Sequence, residues 1–381
     1  MRIPYRSMHL TDEMRQKAVE VLESGRSYGG EDTQRFEVEL AQRCGRRYGV
    51  AANSGTSILL MALDALSVKP GDEVIMAANA YVGVLAPVVK IGAVPVFVEA
   101  DHETRNISAA AAAAAITPRT RVMVPVHMYG FPCDMDAISA AASARGVTVL
   151  EDAAHALGAT YRGRPVGSFG ALAFMSFSGK MITVFGPGGV GVTDDRQLAE
   201  DVSSLRDQGR NRKEEVSFIR RTDASWYEQR RIGYNMHLTE VCAALGRVQL
   251  RMLDEFLAHR RRAAAHYAAR FRDADLPLDL PPERPWASPS YLHFVVLTRQ
   301  RDALWKFLRS RDIEASIHYP APLHLLAPVR ERFGTSRGQF PIAERLCAEN
   351  LSLPVGLHMT PAMLERVADS VVAFFRERPS A

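Results

Sequence analysis

Lysine is scarce in this chain. Only six occur among 381 residues (Lys17, Lys69, Lys90, Lys180, Lys213 and Lys306), so 41 of the 47 basic residues are arginine. Such an excess of arginine and alanine is a mark of a GC-rich genome, not of a function. Cysteine is scarcer still. Cys44, Cys133, Cys242 and Cys347 lie far apart, which excludes a closely spaced zinc clip and a disulfide framework. A reducing cytoplasm is the simplest setting, and no metal is expected. A surplus of charge is also missing. The net charge of +4 excludes a polybasic nucleic-acid binder, while mildly favouring small anionic substrates. The opening MRIPYRSMHLTDEMRQK is charged throughout and has no apolar core, so a signal peptide is not expected. Nor is there a membrane span. The most apolar stretch, VGVLAPVVKIGAVPVFV, contains Lys90, Gly92 and two prolines, and reads as helix, turn and strand.

What is present suits a large α/β protein. Residues of the set AVILMFWYC make up 47% and charged residues 24%, enough apolar material for a sizeable core. The length allows two or three domains, and one large with one small is expected. Short apolar runs stand at 48–52, 73–77, 94–98, 121–126 and 147–152. Between them lie the helical stretches SILLMALDAL, VGVLAPVVKIG, SAAAAAAAI and MDAISAAASARG. Strands alternating with helices predict a parallel sheet covered on both faces. Ser108 is a good N-cap for the alanine run 109–115, which reads as a short surface helix.

Beyond residue 160 the pattern changes. TYRGRPVGS predicts a hairpin, and ALAFMSF and GGVGVT predict two strands. Residues 206–231 are polar and carry eight basic side chains, fitting either a solvated loop or an anion-binding one. Helical spacing runs from Leu238 to Arg272. The proline-rich LPLDLPPERPWASPS reads as a connector. YLHFVVLT, a helix near 301–311, IEASIHY and a last helix from about 360 would form the smaller α+β domain. The division expected is 1–250 and 251–381.

Several segments carry possible chemistry. ANSGTS (52–57) follows a strand and opens a helix, where free N–H groups and the helix dipole favour an anion. An ordinary N-cap gives the same pattern. EDAAH (151–155) puts two carboxylates and a histidine at a strand end, which in parallel sheets faces the ligand crevice. An aspartate there pairs with a cationic ring nitrogen, binds a metal, or caps the next helix. SFSGK (176–180) sets Lys180 among small and apolar residues, where dehydration lowers its pKa and makes the amine a nucleophile, unless it is a snorkelling surface lysine. GPGGVG (186–191) lacks the GxGxxG spacing of a dinucleotide loop.

Taken together, the ordered motifs resemble the DegT/DnrJ/EryC1/StrS family of pyridoxal-phosphate sugar aminotransferases. They are SGTS at 54–57, KPGDEVIMAANAYVG at 69–83, GAVPVFVEAD at 92–101, ITPRTRVMVPVHMYG at 116–130, EDAAHALGATYRGRPVGSFG at 151–170, the Lys180–Gly189 segment, LRDQG at 205–209, GYNMHLTEVCAALGRVQL at 233–250, IHYPAPLH at 317–324 and FPIAERLCAENLSLPVG at 340–356.

The resemblance implies an aspartate-aminotransferase-like fold, fold type I, with a large pyridoxal-phosphate-binding α/β domain and a small C-terminal α+β domain. It implies that Lys180 bonds the cofactor aldehyde and moves protons, and that Asp152 pairs with the pyridinium nitrogen. His155 would lie near the phenolic oxygen and Tyr81 on the ring face. Gly55, Thr56 and Ser176 would hold the phosphate, with Asn235 reaching it from a second subunit of a homodimer. His318, Tyr319 and His324 become candidate substrate contacts, with loop packing as the alternative.

Three positions depart from the family's pattern. Pro187 replaces an acidic residue, Gln208 stands where histidine is frequent, and the Ser176–Lys180 spacing is one residue short, so Ser178 is an alternative to Ser176. The reaction implied moves an amine from glutamate or glutamine to a nucleotide-linked keto-deoxysugar, with the HALGA segment favouring carbon 4 over carbon 3. A keto-inositol acceptor and a non-catalytic regulator are the competing readings.

Overall fold

The computed structural model describes residues 2–210 and 229–377. Seven strands form the central sheet: β1 (Tyr48–Ala52), β2 (Glu73–Ala77), β3 (Val94–Val98), β4 (Thr120–Val124), β5 (Thr148–Asp152), β8 (Leu172–Ser176) and β9 (Gly189–Thr193). The hairpin of β6 (Thr160–Tyr161) and β7 (Arg164–Pro165) lies outside it. The sheet order is β1-β9-β8-β5-β4-β2-β3. From β8 to β3 all neighbours are parallel, and β9 alone runs against both of its own.

Alternation along each strand sends side chains to two cores. On one face Val74, Met76, Val122, Val124 and Leu150 pack with helices α3 (Gly55–Ala65), α4 (Val82–Lys90) and α7 (Arg196–Arg206). On the other, Ile75, Met123 and Val149 meet α5 (Ala109–Ala114) and α6 (Met135–Ser143). Ala173, Met175, Val190 and Val192 there meet α2 (Glu31–Arg43), α8 (Glu240–Arg251) and α9 (Leu253–Asp273), while α1 (Asp12–Glu23) packs on α8. Side-chain caps at Ser54, Ser108, Asp134, Asp195 and Thr239 start α3, α5, α6, α7 and α8.

The helical pattern from Leu238 is broken at Met252, so it forms two helices. The proline-rich connector also departs from its reading: Ala287–Ser288 within it forms β10, which adds to the hairpin by pairing with β6. The hairpin turns at Arg162 and Gly163, both left-handed at φ 48° and 76°.

The C-terminal part has a third core. β11 (Phe294–Leu297) and β12 (Asn350–Leu353) pair antiparallel, and α9, α10 (Arg301–Ser310) and α13 (Pro361–Glu377) pack on them. Ile3 is buried in the same core, so the first residues run with the C-terminal part. Between β11 and β12 lie α11 (Ala327–Phe333) and α12 (Pro341–Glu349). Val329, Ala343 and Leu346 from them, with Leu323 before them and Val295 and Leu297 of β11, join the core of the large sheet.

Candidate active site

The C-terminal ends of β1, β8, β5 and β2 lie along one rim of the sheet, with β9 between the first two and β4 between the last two, where parallel α/β sheets leave a crevice. At the end of β1 the chain turns into α3. Ser54 caps that helix, its hydroxyl accepting from Ser57 N–H at 3.0 Å. Gly55 and Thr56 N–H take no hydrogen bond among the described residues. Ser176 adjoins them, since a Cβ on Gly55 would lie 3.2 Å from the Ser176 Cβ. Ser178 is exposed.

Tyr81 follows β2, and Gly83 lets it close on the helix start. A Cβ on Gly83 would stand 2.8 Å from the Tyr81 ring and 3.0 Å from the Thr56 hydroxyl. Lys180 Nζ lies 6.0 Å from the centre of the Tyr81 ring. Burial and the Arg6 cation push the Lys180 ammonium down to about 8, against the pull of Asp152.

Asp152 ends β5, 5% exposed, with Oδ1 accepting from Ala154 N–H at 2.9 Å. Burial raises its carboxyl to about 6, against that hydrogen bond and the Lys180 charge. Its neighbour Glu151 points to the opposite face, as strand alternation requires. There Glu151 is fully buried, bonded to His127 Nε2 at 2.9 Å and to Gly167 and Phe169 N–H. So EDAAH supplies one carboxylate to the crevice and one to the frame.

His155 Nδ1 accepts from Tyr129 N–H at 3.3 Å, which places the proton of the neutral ring on Nε2. That nitrogen faces the Tyr319 hydroxyl at 3.1 Å. Burial, Lys180 and His318 hold His155 well below the usual histidine range. Tyr319 also meets the Tyr81 ring at 4.9 Å. His318 stacks on His293 at 3.9 Å, and His293 lies edge-on to His155 at 5.2 Å. Desolvation lowers His318 to about 3 and His293 well below its usual value, so all three imidazoles are neutral.

The structure therefore brings together Gly55, Thr56, Tyr81, Asp152, His155, Ser176, Lys180, His318 and Tyr319. It does not bring His324. That side chain is fully buried, bonded to Glu344 at 3.1 Å and edge-on to Phe340, the arrangement the loop-packing alternative expects. Asn235 is exposed, paired by a backbone bridge to Asp207. Of the basic segment, residues 211–228 lie outside the described residues. At its ends Arg206 is buried against Glu37, Arg210 bonds Asp207 and Arg231 pairs with Asp201. Among the described residues no group of three or more His, Cys, Asp or Glu is placed to hold a metal ion, and no helix is long and apolar enough to cross a membrane.

Sequence reasoning missed Tyr5, Arg6 and His293. Tyr5 hydroxyl bonds His293 Nδ1 at 2.6 Å, and Arg6 Nη1 lies 2.7 Å from where a Cβ on Gly179 would stand. No local signal marks Tyr5 and Arg6, because a β-bridge between Ile3 and Ile313 brings that arm there, while His293 comes in from the residue before β11.

Known proteins share this arrangement of chain. One relative, the erythromycin biosynthesis sensory transduction protein EryC1 of Saccharopolyspora erythraea, is 37% identical over 96% of this chain and 95% of its own. The dTDP-3-amino-3,4,6-trideoxy-alpha-D-glucose transaminase of Streptomyces venezuelae is 38% identical over 92% of this chain and 89% of its own. The crystal structure of S. venezuelae DesV in complex with a ketimine intermediate superposes with a TM-score of 0.91 at 36% identity, covering 98% of both chains. That likeness, with the mainly parallel sheet, is fold type I. Residues 8–372 match the family described as the DegT/DnrJ/EryC1/StrS aminotransferase family, and this chain belongs to it.

Proposed function

We propose that this aminotransferase works with pyridoxal phosphate and moves an amine from glutamate or glutamine to a keto-deoxysugar carried on a nucleoside diphosphate. The observation that carries the reading is a half-buried lysine of lowered pKa in a crevice that also holds the buried Asp152 carboxylate. The residues fit the cofactor. Two unused N–H groups at the start of α3, with Ser176 beside them, suit its phosphate. The Tyr81 ring suits its face, and Asp152 suits its ring nitrogen. When bound, pyridoxal phosphate supplies an aldehyde that captures amines and a ring that takes up the electron pair freed at the substrate carbon.

The chain's own residues do the rest. Lys180 keeps a share of neutral amine near pH 7, which serves as nucleophile and then as the base that moves a proton at Nζ. Asp152 keeps one oxygen on Ala154 N–H and the rest of its charge for a cation. His155 offers its Nε2 proton as a donor, with the tautomer set by Tyr129 N–H. Tyr319 reaches that same nitrogen and, with His318, lines the side from which substrate would enter.

Asn235 is assigned to the site of a second copy. Among the described residues no hydrogen bond joins its side chain to Lys180 or Asp152, and Ile232, three residues before it, is 91% exposed, as an interface residue would be in a lone subunit. A homodimer follows. All four cysteines are free, which suits a reducing cytoplasm.

For the acceptor, the S. venezuelae transaminase is named for a 3-amino sugar, and that similarity outweighs the HALGA segment. We therefore place the ketone at carbon 3. The name of the EryC1 relative favours a regulatory reading, and the retained pair of Lys180 and Asp152 favours turnover. One experiment separates them. Protein loaded with pyridoxal phosphate should lose its visible absorbance with glutamate or glutamine and regain it with one member of a panel of keto-sugar nucleotides and keto-inositols. Lys180→Ala should abolish both the band and the turnover. Turnover undiminished in that variant refutes the assignment.

A further inference from the structure

We propose that Arg6 receives the α-carboxylate of the amino donor. The inference deepens the aminotransferase reading and rests on it. Arg6 lies on an N-terminal arm that is fastened at several points. Ile3 N–H donates to Asp312 O at 2.8 Å, and Glu314 N–H donates to Ile3 O at 2.9 Å. Tyr5 N–H donates to Glu314 Oε2 at 3.0 Å, and His358 Nε2 meets Pro4 O at 2.8 Å. The Tyr5 hydroxyl anchors the tip on His293. The arm ends with the Arg6 guanidinium over Gly179, the residue before Lys180, where even one added carbon would touch it.

That cation has no carboxylate partner among the described residues, whereas Arg2 on the same arm pairs with Glu314. Its surroundings offer little else of negative charge. His155, His293 and His318 are neutral, and Asp152 has one oxygen on Ala154 N–H and its charge facing Lys180. A guanidinium with no carboxylate partner beside the reacting amine calls for an anion, and its fork matches a carboxylate. In either donor the α-carboxylate is bonded directly to the carbon that Lys180 must deprotonate, so it necessarily comes close to Lys180. The diphosphate of a sugar nucleotide hangs on the anomeric carbon, farther from the reacting centre.

The same place must later accept a sugar carbon that bears no carboxylate. Arg6 is exposed and held by no carboxylate, resting only near the Tyr5 ring at 5.6 Å, so its side chain can leave the crevice without breaking an ion pair. One site thus takes a charged donor and an uncharged ring in turn.

The test separates the two anions. Holoenzyme is titrated with α-methylglutamate, which binds as a donor but has no α-hydrogen to lose, and separately with dTDP, UDP and GDP, by calorimetry and by the cofactor spectrum. Arg6→Gln should weaken α-methylglutamate on the order of ten- to a hundred-fold. The best-bound nucleotide should be unchanged within about twofold, a shift too small to represent a lost contact. Arg6→Lys should fall between. Unchanged donor binding overturns the proposal. So does a loss confined to the nucleotide, which would make the diphosphate the partner, or an equal loss of both, which would make Arg6 a general prop. If wild-type protein fails to bind or convert any amino donor, it is the aminotransferase reading that fails instead.

Discussion

Asp152→Asn should make the cofactor-free protein more stable and nearly inactive. Asparagine has the same shape and keeps the acceptor for Ala154 N–H, so the change removes little but the charge. Burial lifts the Asp152 carboxyl from 3.8 to about 6. At about 1.4 kcal/mol per unit, an ionised Asp152 costs the empty protein roughly 2–3 kcal/mol. The sign follows from linkage. Below about pH 3 the carboxyl is largely protonated in both folded and unfolded chains and nothing is lost; the penalty grows as pH rises from there and is nearly complete above about 6. The variant should therefore melt a few degrees higher than wild type at pH 8, with the gap closing toward about pH 3. Thermal unfolding of both proteins, stripped of cofactor, measures this directly. Transamination should fall at least about a hundredfold, about 2.7 kcal/mol of barrier. A variant less stable than wild type at pH 8, or a gap that ignores pH, would refute the view that this carboxylate is a destabilised charge awaiting a cation.

Capture of pyridoxal phosphate by the empty protein should speed up as pH rises through about 8, where Lys180 loses its proton, and fail below about 6, where Asp152 gains one; stopped-flow association across that range reads both. His324→Ala should lower stability by about 1–3 kcal/mol through the loss of the buried contact with Glu344. Its kcat/KM for sugar should stay within about twofold, whereas a substrate contact would show a raised KM.

The large sheet was legible because its strands are short apolar runs bounded by turn residues. The runs at 48–52, 73–77 and 94–98 coincide with β1, β2 and β3. β4 stops earlier than its run, at Val124, because Pro125 has no N–H to give a ladder. The strand at Ala287–Ser288 was hidden because its two residues lie among prolines and are strand-like only through pairing with β6. At the site, local segments marked Lys180, Asp152 and His155, since each stands where a strand gives way to a loop, whereas Tyr81 was marked only by the family resemblance. His324 carried the same kind of motif, but only packing against Phe340 and Glu344 decides where it points. Tyr5 and Arg6 depend on a pairing that spans 310 positions, from Ile3 to Ile313, which no window of sequence contains.

The apolar cluster that Leu323, Val329 and Leu346 share with the central sheet bears on how substrates get in. A C-terminal lobe swinging open as a rigid body would have to pull those side chains out of oil and into water on every cycle. Gating by a hinge between lobes is thus disfavoured. Admission and rejection must be settled by short pieces at the rim, the Tyr81 turn and the Arg6 side chain among them, which can shift without unzipping the seam beneath them.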